Sequence, residues 1–111
     1  MAVDSRQISA VTSTVTLLEV LVQPLRRGRP ELVLEYKNAL LGTVGLICQE
    51  TTSDIAEDAA RLRASYNLST PDAIQLATAI KSDAKAFLTN DSFLISVPDI
   101  DILVLDQVIQ Q

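Results

Sequence analysis

The spacing of apolar positions changes along the chain, and with it the element each segment predicts. Ile8 to Ser13 (ISAVTS) is short and β-branched, the signature of a strand. Ser13 or Thr14 then caps a helix expected to run to about Val22 and to stop before Pro24. Leu25 to Pro30 (LRRGRP) reads as a basic loop. Leu32, Val33, Tyr36 and Leu40 recur at three- and four-residue steps, which predicts a helix over Glu31 to Leu41 with Gly42 as its stop. Val44 to Glu50 predicts a second strand. Thr52 or Ser53 caps a helix from Asp54 to about Tyr66, with Ile55, Ala59, Leu62 and Tyr66 on one face. Thr70-Pro71 opens a helix to about Ser82, with threonine expected at the cap and proline in the first turn. Its Ala73, Ala77 and Ala79 suit a backbone packed closely on a sheet. Ala86 to Thr89 predicts a short buried strand. Ile100 to Leu105, nearly all apolar, predicts a last buried one.

Strand, helix, helix, strand, helix, helix, strand, strand is the order of an α/β protein. The expected architecture is three-layer, a mostly parallel sheet flanked by helices. Sites in such sheets gather at the carboxyl ends of the strands.

Composition narrows the chemistry. The 111 residues, 48% of them hydrophobic, suit one domain spanning residues 1–111. No apolar run reaches the roughly 18 residues of a membrane span, and no secretory signal is visible, so the expected compartment is the cytoplasm and no membrane partner is expected. Histidine is absent, which excludes a Ser-His-Asp triad, a Cys-His pair and histidine-ligated metals. The single cysteine, Cys48, excludes disulfides and four-thiolate sites. Three glycines cannot write a phosphate-cradling loop, and four aromatics make a poor base-stacking platform. Catalysis, if present, falls to oxygen ligands and a hard cation, Mg²⁺ or Mn²⁺. A net charge of −5 works against polyphosphate binding except at a local basic patch, for which Arg26, Arg27 and Arg29 are the best candidates.

Three carboxylates stand in unusual places. Glu19 is the sole charge between Gln7 and Leu25, in a helix apolar on nearly every side, where a carboxylate is costly unless paired or cation-bound. Reaching solvent from the helix edge is its ordinary alternative. Asp72 lies in the first turn of its helix, where the exposed N–H groups favour an acid without any function. Asp91 follows a strand's carboxyl end, where it serves equally well as a cap. Ser13, Thr16 and Glu19 are spaced by three, along one helical face.

Taken together, S-x-x-T-L-L-E-V at Ser13 to Val20, T-P-D-A-I-Q-L-A-T-A at Thr70 to Ala79 and F-L-T-N-D at Phe87 to Asp91 resemble the PIN-domain family, in particular ribonuclease toxins of VapC type. The resemblance implies a Mg²⁺- or Mn²⁺-dependent endoribonuclease. Glu19, Asp72 and Asp91 match the family's metal-holding, catalytic acids, with Ser13, Thr16 and Asn90 as supporting positions. It also implies an antitoxin-like protein partner and RNA as substrate.

One departure is large. Family members begin with a strand ending in an aspartate, about thirty residues before the S-x-x-T-x-x-E helix. Here Asp4 stands only fifteen positions before Glu19, with no apolar strand ahead of it. The chain therefore reads as PIN-like but incomplete at the N-terminus, lacking one metal ligand and the family's middle strand: a truncated form, expected to be inactive unless that first aspartate is restored or replaced by another group. That loss would leave a gap between the strands at Ile8 to Ser13 and Ala86 to Thr89, whose bare edges are costly. The strands could close on each other, another copy could fill the gap, or the chain could be a fragment. A homo-oligomer or a repaired sheet is expected. The competing reading is a non-catalytic PIN-like interaction module that binds a partner protein or itself.

Overall fold

The computed structural model describes residues 10–90 and 101–104. Eight elements follow in order: β1 (Ala10–Ser13), α1 (Thr14–Arg26), α2 (Pro30–Gly42), β2 (Leu46–Gln49), α3 (Ser53–Ser65), α4 (Thr70–Lys81), β3 (Ala86–Thr89) and β4 (Asp101–Val104). The strands form one sheet in the order β2-β1-β3-β4, and every neighbouring pair is parallel.

Alternate side chains of the strands feed two separate cores, which makes the three layers. On one face Val11 and Phe87 pack with Ala79, Ala84 and Leu76, so α4 covers that side. On the other, Leu88 and Leu46 pack with Val20, Leu40 and Tyr36 of α1 and α2. A third cluster joins Ile55 and Ala59 of α3 to Ala73 and Ala77 of α4. The alanines of α4 are fully or almost fully buried, as close helix packing requires.

The expected gap is closed. β1 pairs directly with β3 through Ala10↔Ala86 and Val11↔Phe87. The seam is thin, because β1–β2 and β3–β4 each align four residue pairs against its two. Beyond Val11 the ladder gives way to a side-chain bond, Thr12 Oγ1 donating to the Leu88 carbonyl at 2.6 Å.

Three local expectations need correction. The first helix does not stop before Pro24 but continues through it to Arg26. Pro24 lies near the helix end and is buried, so one lost backbone bond is offset by packing. The turn that follows, LRRGRP in sequence, is closed by Arg27 N–H to the Gln23 carbonyl and Arg29 N–H to the Pro24 carbonyl, both 2.9 Å, with Gly28 at φ +62°. The α4 cap is Ser69, whose Oγ accepts from the Asp72 N–H at 3.2 Å; Thr70 is already helical. Finally, β4 is not buried. Among the described residues it is the sheet edge, with Asp101 and Leu103 exposed and Ile102 turned toward the core.

Candidate functional site

The carboxyl ends of β1 and β3 meet the starts of α1 and α4 at a buried hydroxyl–amide network. Ser13 ends β1 and caps α1, its Oγ accepting from the N–H groups of Val15 at 3.1 Å and Thr16 at 3.4 Å. The same hydroxyl donates to Gln75 Oε1. Gln75 Nε2 in turn donates to Thr16 Oγ1 at 2.7 Å and to Thr89 Oγ1 at 3.4 Å. Ser13, Thr16 and Thr89 have no exposed surface, and Gln75 keeps 2%. One amide therefore ties together β1, α1, α4 and β3.

The candidate acids hang from this network. Glu19 lies one turn beyond Thr16 on α1, and Asp72 one turn before Gln75 on α4. Both are half-buried, and each is engaged by another group. Asn90 directly follows Thr89. Asp91 and Asp4 lie outside the described residues.

Glu19 and Asn90 line a cleft of about 270 Å³, together with Gln23, Arg27 and Arg29 and an apolar wall that includes Pro24, Leu32 and Tyr36. Two of the three candidate arginines thus reach the Glu19 cleft; Arg26 is exposed elsewhere on the helix end. Asp72 is not part of the cleft lining. Arg29 Nε donates to Glu31, and this hydrogen bond holds the exposed Glu31 carboxyl below its ordinary pKa.

Sequence reading singled out Ser13, Thr16 and Asn90 but passed over Gln75, Thr89 and Thr12. The available signal was the lone amide of α4 set among alanine, isoleucine and leucine.

Among the described residues, no three acids or thiols cluster closely enough to hold a metal ion, Asp91 not being one of them. The donor set is oxygen only, which suits Mg²⁺ or Mn²⁺ in chemical type.

A family model described as PIN domain matches residues 2–99. The chain belongs to the PIN-domain family. This PIN domain is also similar to a solved toxin-antitoxin complex from Klebsiella pneumoniae, with a TM-score of 0.58 and 28% identity over 79% of this chain and 68% of that one. No curated protein matches it. Among the described residues, no helix is long and apolar enough to cross a membrane.

Proposed function

We propose that the 1–111 chain is a single toxin-type PIN domain that cleaves RNA in the cytoplasm with Mg²⁺ or Mn²⁺ as cofactor. The carrying observation is the Gln75 network, which fixes the Glu19 helix and the Asp72 helix at the strand ends where Asn90 emerges. In this reading Glu19, Asp72 and Asp91 hold the cation through carboxylate oxygens. Ser13 and Thr16 anchor the start of the Glu19 helix, and Asn90 borders the cleft. A bound divalent cation supplies acidity to water and charge opposite the scissile phosphate. Arg27 and Arg29 draw the RNA backbone toward a site that the net charge of −5 otherwise disfavours.

The test is cleavage of single-stranded RNA with Mn²⁺, alongside Mn²⁺ binding by calorimetry. Wild type should cut, and Glu19→Gln should lose activity by about a hundredfold or more and bind Mn²⁺ more weakly. Mn²⁺ binding unaffected by Glu19→Gln, with no cleavage by either protein, would sink the reading.

A second reading has its own observation. The α1–α2 hairpin exposes Leu18, Leu25, Leu34 and Leu41, each more than half accessible. With a toxin-antitoxin complex as structural neighbour, that face supports a PIN domain that binds an antitoxin-like protein or a second copy of itself, with or without catalysis. A homo-oligomer in light scattering that dissociates on Leu34→Glu would support it.

A further inference from the structure

We propose that the cleft beside Glu19 is a pocket for one unstacked nucleotide, which reads a single base next to the phosphate that is cut. The proposal rests on the ribonuclease reading for the polymer that supplies the nucleotide. Glu19 and Gln23 lie one turn apart on α1, Arg27 caps its carboxyl end four residues further on, and all three line the cleft. Eight residues at 1.5 Å rise make a ridge about 12 Å long, with a carboxylate at one end, an amide in the middle and a guanidinium at the other. Arg27 has no side-chain hydrogen bond or ion pair among the described residues, whereas Arg29 shares its Nε with Glu31. Arg27 is therefore the cation most available to a phosphate.

The middle of the ridge suits a base. The Gln23 amide both donates and accepts, as a base edge does. Tyr36 and Leu32 form an apolar wall opposite, and an aromatic ring stacks on any base. A cleft of about 270 Å³ sits just below the usual ~300–1,000 Å³ of ligand pockets, which suits one nucleotide and is too small for a duplex. The net charge of −5 points the same way, since grip on a polyanion must then come from a few local contacts. A carboxylate-bearing peptide fits less well, because it brings no planar ring to stack on Tyr36 and no base edge for the Gln23 amide.

The experiment titrates the full chain with UMP, CMP, AMP, GMP, inorganic phosphate and an oligoglutamate peptide in metal-free buffer, followed by NMR. At least one nucleoside monophosphate should bind about tenfold more tightly than phosphate, with a severalfold spread among bases. Shifts should fall on residues 19–36 and 90. Arg27→Gln should weaken nucleotide binding about tenfold, and Arg61→Gln, on the far helix α3, should not. Tyr36→Leu, which keeps the apolar packing, should erase the spread while phosphate binding stays. Equal binding of phosphate and all nucleotides would overturn the proposal. So would equal losses in the two arginine variants, or peptide binding in the cleft without nucleotide binding. Because no metal is present, nucleotide binding without Mn²⁺-dependent cleavage leaves the pocket standing and removes only the nuclease.

Discussion

Gln75 carries more of the site than its place in the sequence suggests. Its partners Ser13 and Thr16 are 62 and 59 residues away, so no local spacing announces them. Glu19 was legible for the opposite reason: a charge inside an apolar helix is conspicuous by itself. Gln75→Met keeps the size but strands buried hydroxyl groups, and should cost about 2–4 kcal/mol in urea unfolding. Cys48 offers a second test at this scale. Partial burial, then the nearby Glu50 charge, raises its thiol pKa, so the neutral form is held to higher pH than in a free cysteine. Iodoacetamide should alkylate Cys48 more slowly than a small free thiol at neutral pH.

At the scale of elements, order and type were legible because the apolar period changes cleanly from segment to segment. Ends were less so. Pro24 read as a stop because a proline ends most helices, but its burial among α1 and α2 side chains keeps the helix going. Thr70 and Ser69 both suit a cap, and only the backbone shows that Ser69 Oγ meets the Asp72 N–H. Ser69→Ala should cost about 1 kcal/mol. It should also speed hydrogen exchange in the first turn of α4, the turn that carries Asp72. The apolar run of β4 predicted a buried strand, yet nothing among the described residues pairs with its outer edge.

For the whole molecule, the pattern of elements implied a parallel α/β sheet, the family resemblance implied a break between β1 and β3, and three outcomes were open: closure of the two strands, a second copy in the gap, or a fragment. The choice depends on long-range pairing that no periodicity encodes. In the structure the break is mended by two aligned residue pairs and the Thr12 hydroxyl. Thr12→Val keeps a good strand residue but leaves the buried Leu88 carbonyl without that donor. It should lower stability by about 1–2 kcal/mol, measured by chemical denaturation.

That seam also has a temporal consequence. Thr12 and Leu88 are 76 residues apart, so joining them closes a long loop for few bonds. The β1–β2 unit with its helical hairpin, and the β3–β4 unit under α4, can each condense before the two meet. The rate-limiting event of folding is then the docking of two half-sheets, and Thr12→Val should slow refolding while leaving the unfolding rate nearly unchanged.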